Sequence, residues 1–150
     1  MFSATCEVLI NIVEDVVTYA SRGDADATYE VITSFEFVFL LHLMKNITVI
    51  TDLLSQVLQC QSQDIFNAMC LVSFTKLLLQ KMRNKEWQNL LENVIFFCKA
   101  RNIDIPNINA RYIARQGRAH YQEDNFTMEQ QYQVNIFYAA IDSQLQELNI

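Results

Sequence analysis

Turn-forming residues are nearly missing from this 150-residue chain: glycine occurs twice, at Gly23 and Gly117, and proline once, at Pro106. Sandwiches, barrels, Rossmann units and phosphate loops all consume glycine, for tight turns and for backbone that must approach a phosphate closely. Their exclusion leaves a fold of few, long, mostly helical elements. Zinc ligands are scarce too. The histidines His42 and His120 lie far apart, and Cys6, Cys60, Cys70 and Cys98 form no CxxC pair, so no half of a tetrahedral site is pre-formed. The cysteines read instead as buried free thiols in a reducing compartment. Also missing is the basic start and apolar stretch of a secretory signal. The glycosylation sequons Asn46-Ile47-Thr48 and Asn125-Phe126-Thr127 are therefore expected to be idle.

What is present is apolar side chains, 51% of the total, enough to bury the core of one helical domain spanning 1–150 without disulfides or metal. In residues 5–20, Val8, Leu9, Ile12, Val13, Val16 and Tyr19 recur at helical spacing. Ser21-Arg22-Gly23-Asp24 then reads as a stop, with Gly23 as a left-handed cap and Asp24 or Asp26 capping the next helix. Residues 25–59 contain neither glycine nor proline and are apolar nearly all round between Phe35 and Met44, as in the central helix of a bundle. The alternation of Phe35, Phe37 and Phe39 leaves a strand open over 35–41. Breaks are expected near Thr33-Ser34 or Asn46–Thr48, where hydroxyls and amides compete for backbone hydrogen bonds.

Residues 31–50 alone raise the question of a membrane, and Glu36, His42, Lys45 and Asn46 argue for a core helix instead. A third helical region covers 63–84 with Ser62 as its cap. A fourth covers 85–101, with Trp87, Leu90, Leu91, Val94, Ile95 and Cys98 inward and Lys99 and Arg101 in the last turn, where cations complement the dipole. Residues 102–125 lack a period and read as one long loop. Thr127 and Gln130 then form a capping box, followed by an inward stripe of Val134, Phe137, Ile141, Leu145 and Leu148. That helix is expected to run to Ile150 without a stop signal, and Met1-Phe2-Ser3 leads straight into the first helix, so the chain reads as a piece of a longer protein. The expected fold is all-α: five to six helices in an irregular bundle with one long loop at about 102–125.

The net charge of −6 and a pI near 4.8 exclude a uniformly basic nucleic-acid binder. The charge is segregated, however. Residues 1–75 carry nine acids against two bases, 76–121 nine bases against three acids, and 122–150 five acids and no base. A basic face over 76–121 is therefore expected. Within it Arg111, Arg115, Arg118 and His120, interleaved with Tyr112 and Tyr121, could grip phosphates and stack on bases. A loop neutralised by the acidic ends of the same domain is the plainer reading of the same residues.

No constellation suggests catalysis. The acid pairs Glu14/Asp15, Asp24/Asp26 and Glu123/Asp124 sit at helix ends or on polar faces, where solvated charges are expected, and nothing in the sequence places them in a cleft as acid catalysis requires. Glu36 and His42, six residues apart, do not share a helix face, and His42 reads as a core histidine bonded to a carbonyl. No nucleophile stands in an elbow context. The chain is expected to be no enzyme, with no cofactor, no metal, no small-molecule ligand and no membrane partner.

Four stretches, residues 28–47 (TYEVITSFEFVFLLHLMKNI), 53–72 (LLSQVLQCQSQDIFNAMCLV), 103–115 (IDIPNINARYIAR) and 137–149 (FYAAIDSQLQELN), resemble the plant zinc finger MYM-type proteins, relatives of hAT-family DNA transposases. The resemblance covers almost the whole chain. It implies a nuclear parent protein with an N-terminal zinc finger, an RNase H-like core bearing three metal-binding acids, a helical domain inserted into that core and a C-terminal dimerisation segment. This chain resembles part of the helical insertion only, so no catalytic residue of the family maps onto it. Its implied partners are DNA and another protein, or self-association within the parent. Gln116 and Gln133 stand where the family commonly has arginine, which makes this copy a weaker candidate for DNA contact.

Overall fold

The computed structural model describes residues 2–15, 19–59, 65–113 and 126–148. Among them the fold is all-α, with six helices. α1 spans Phe2–Asp15, α2 Tyr19–Ile32, α3 Phe35–Leu58, α4 Ile65–Lys85 and α5 Trp87–Ala100. α6 is compound: an α-helical turn at Met128–Gln130, a π-helical stretch at Gln131–Tyr138 and an α-helical end at Ala139–Glu147.

The boundaries show which local signals prevail. Gly23 does not stop a helix; it lies inside α2, where a glycine costs about 1 kcal/mol relative to alanine and no proline forces an end. Asp24 and Asp26 are consequently exposed interior residues of α2, not caps. The break does fall at Thr33-Ser34. The Thr33 hydroxyl donates to the Tyr29 carbonyl at 2.7 Å, and the Ser34 hydroxyl donates to the Val31 carbonyl at 2.7 Å while accepting from the Phe37 amide at 3.2 Å. One side chain thus closes α2 and opens α3. Residues 35–41 are helical, not extended, and 46–48 continue the helix, with the Thr48 hydroxyl bonded back to Met44 at 2.8 Å. Ser62 and Gln63, the expected cap and start of the third helical region, lie outside the described residues.

α5 ends in a Schellman arrangement. Asn102 takes a left-handed φ of 53°, the Ile103 amide donates to the Cys98 carbonyl at 3.0 Å, and the Asn102 amide reaches Lys99 at 3.5 Å. Asparagine supplies here the left-handed residue that glycine usually provides. The Thr127 capping box is present in full: the Gln130 amide donates to the Thr127 hydroxyl at 3.2 Å, and the Thr127 amide donates to the Gln130 side chain at 2.9 Å.

The chain forms two compact units. The first comprises 1–41 and 94–105; in it α1 packs along α2, and Phe35, Val38, Phe39, Val94, Cys98 and Ile103 are buried. The second comprises 42–93 and 106–150, and its buried side chains include Leu43, Leu79, Leu90, Phe137 and Ile141. α3 and α5 each contribute residues to both.

Within the second unit α4 packs against the end of α6, where Arg83 makes a two-pronged contact with Asp142, Nε–Oδ1 2.6 Å and Nη2–Oδ2 3.0 Å, under the Tyr138 ring at 4.5 Å. Trp87 is buried as expected. It stands edge-on to Phe137 at 5.4 Å, and its indole N–H donates to Glu129 at 3.3 Å. The stripe of α6 differs from expectation. Tyr132, Phe137 and Ile141 are buried while Val134 is exposed, because i→i+5 bonding widens each turn and brings residues five apart into line. The Gln133 amide donating to the Tyr138 hydroxyl at 3.1 Å, also five apart, follows the same register.

Candidate interaction surface

Arg111 is the one candidate phosphate contact within the described residues; Arg115, Arg118 and His120 lie outside them, as do Tyr121 and the acids Glu123 and Asp124. Arg111 is exposed on a short backbone pairing. It forms an antiparallel bridge with Thr127, the Tyr112 amide donates to Phe126 at 2.9 Å, and the Met128 and Glu129 amides donate to Ala110 and Ile108 at 2.9 and 2.8 Å. The described part of the expected loop is thus tied down at both ends, by the α5 cap and by the α6 N-terminus. Those last two bonds also occupy first-turn amides of α6 that could otherwise face an anion.

The bases of 76–121 are divided between the two units. Lys99 and Arg101 belong to the first unit, while Lys76, Lys81, Arg83, Lys85 and Arg111 belong to the second. On α4, seven residues bring Arg83 onto the face of Lys76, with Lys81 and Lys85 opposite. Arg83 is already engaged by Asp142, whose hydrogen bond raises the guanidinium pKa; the same bond lowers that of the carboxyl.

Cys70, Phe74 and Leu77 mark a second face of the 63–84 region in the sequence, and the structure leaves that face uncovered. On α4, Phe66, Met69, Phe74 and Leu77 are 69%, 65%, 52% and 63% exposed, and Cys70 is exposed among them. Their spacing of three to five residues lays one broad stripe along the helix, with no charged residue between Phe66 and Thr75. α3, expected to be buried on all sides, buries only the stripe from Phe35 through Val38, Phe39, Leu43 and Ile47 to Leu54. It exposes Met44, Val49, Leu53 and Leu58. This 24-residue helix is long and apolar enough to cross a membrane by length and composition.

Residues of α3 and α4 line two grooves in opposite order along the two helices. One, of about 330 Å³, has Asn46, Val49 and Ile50 facing Leu78, Lys81 and Met82; the other, of about 490 Å³, has Leu54 and Leu58 facing Met69, Val72 and Lys76. The signal was available in the sequence: both helices carry more apolar residues than one stripe can bury. Periodicity does not say which face finds a partner.

The chemistry-bearing residues are dispersed. Glu36 is exposed and His42 half-buried on α3, Glu14, Asp24 and Asp26 are exposed, and Asn46 of the first sequon is half-buried in mid-helix. Cys6 is half-buried and Cys70 exposed, so of the described thiols only Cys98 is buried as expected; burial raises its pKa. Among the described residues no three His, Cys, Asp or Glu side chains gather as they would around a metal ion. No family model matches the chain, and no solved structure matches it.

Proposed function

We propose that this chain is a non-catalytic helical segment of a hAT-type transposase-derived protein, acting as a packing and interaction element. The observation that carries the interaction role is the exposed apolar stripe of α4 beside the exposed face of α3 in one compact unit. Side chains such as Phe74 and Leu77, more than half in water, each forgo a large part of the roughly 1.5–3 kcal/mol that full burial gives, and contiguous apolar surface of this kind marks a contact site. The family assignment rests on the four resembling stretches, which cover most of α3, the first eight residues of α4 and the end of α6. In that setting the apolar face meets another part of the parent protein. A free-standing helical module that binds a protein partner through the same grooves is the alternative.

The stripe's role is tested by charge substitution. Phe74→Glu should change the stability of the chain by less than about 0.5 kcal/mol, as surface substitutions do, whereas Leu79→Glu, at a fully buried position of the same helix, should prevent folding. Equal damage from both in urea titrations would make the stripe part of this chain's own core and remove the proposal's basis. DNA contact by the 76–121 bases is a secondary part of the reading. Removing Arg111, Arg115 and Arg118 together should flatten the salt dependence of duplex-DNA binding by about 0.9 in the log–log slope for each phosphate no longer neutralised. Identical binding by both proteins would exclude these arginines.

A further inference from the structure

We infer that the first unit contains a binding site for a small apolar carboxylate, with Arg101 as its anion receptor. Arg101 follows the last residue of α5, and the left-handed turn at Asn102 redirects the chain there. Its guanidinium lies over two rings, 5.1 Å from the centroid of Phe2 and 4.6 Å from that of Phe97, and donates one N–H to the Ser3 hydroxyl. The two rings stand edge to face at 5.3 Å, so the cation rests against a fixed aromatic pair. Among the described residues no carboxylate lies within ion-pair distance of it, in contrast with Arg83.

Of five guanidinium donors one is thus used within the described chain. The fork already rests on the two rings, which lowers the entropy cost of gripping an anion. Beside it opens a cavity of about 410 Å³ whose wall includes Cys6, Ile10, Tyr29, Thr33 and Ile103. That volume lies in the range of small-ligand sites, and the wall mixes apolar side chains with the polar groups of Ser3, Asn11, Tyr29 and Thr33. A guanidinium at the edge of such a wall selects a planar carboxylate joined to a compact apolar body. A lysine, as a point charge, would not reproduce the two-pronged contact.

Glu7 also borders this cavity, and its negative charge opposes an anion, which supplies a signature of its own. The test is NMR titration of the full chain with phenylacetate, using its uncharged isostere phenylacetamide as the control. Phenylacetate should give saturable shifts confined to residues of α1, α2 and the end of α5, and phenylacetamide should bind at least about tenfold more weakly. Arg101→Met, which keeps an apolar stem on the rings, should weaken phenylacetate about tenfold, while Glu7→Gln should tighten it severalfold. Equal affinity for acid and amide, shifts spread over the lysines and arginines of both units, or undiminished binding by a folded Arg101→Met would each overturn the site. The acid–amide comparison uses the unaltered protein, so it decides the matter even if a variant does not fold.

Discussion

Phe137, Leu79 and Val94 are fully buried, and at such positions the energetics are those of cavity formation. Phe137→Ala should cost about 3–5 kcal/mol in urea titrations, a large share of the stability of a domain this size. Thr75 presents the reverse case: it is buried, and its hydroxyl has no hydrogen-bond partner among the described residues. A hydroxyl desolvated without compensation is unfavourable, so Thr75→Val should leave the melting temperature unchanged or raise it; a clear fall would reveal a bond to the rest of the chain. The thiols differ in the same physical terms. Cys98 is buried and its pKa is raised by desolvation, whereas Cys70 is exposed. Alkylation mapped by mass spectrometry in native buffer should therefore label Cys70 readily and Cys98 only on unfolding.

Asp142 titrates at a pH set by Arg83, whose hydrogen bond holds the carboxyl below its ordinary value while partial burial opposes it. A carboxyl with a lower pKa folded than unfolded stabilises the fold fully above the unfolded value, near 3.9, and loses that contribution as pH falls through the folded one. Between about pH 5 and pH 3 the wild type should thus lose more of its melting temperature than Asp142→Asn does. The pair is partly exposed, so the difference should be small.

At the scale of elements, local chemistry was the most legible in the sequence. The Thr127–Gln130 box and the Thr33-Ser34 break were readable because each is completed by side chains within four residues. Thr127→Ala should cost about 1 kcal/mol. Two features were not readable. Gly23 suggested a stop, yet a single glycine is too weak to end a helix that its neighbours sustain. In the structure a Cβ at Gly23 would meet nothing within 4 Å, so Gly23→Ala should raise stability by roughly 0.5–1 kcal/mol. The π-helical stretch of α6 was hidden because Val134, Phe137 and Ile141 fit an α-helical stripe. Which register the helix adopts depends on Tyr132 and Phe137 burying together, and that is a property of packing.

For the molecule as a whole, scarce glycine and proline were enough to announce an all-α fold, and the buried Trp87, Leu90, Leu91, Val94 and Cys98 follow the periodicity of α5. An apolar binding groove could be expected from the sequence, but not which face would form it. Apolar content shows how much surface must be covered, but not whether the cover comes from this chain. The second unit leaves Phe66, Met69, Phe74 and Leu77 exposed on a stripe with no charge between Phe66 and Thr75, and association through that stripe is the role proposed for it.

Sedimentation velocity over a range of protein concentrations tests this most directly, comparing the wild type with Met69→Glu/Phe74→Glu/Leu77→Glu. The wild type should associate in a concentration-dependent way, and the triple variant should sediment as a monomer with unchanged helical content and cooperative melting. A triple variant that associates as the wild type does, or one that loses its fold, would refute the stripe's role.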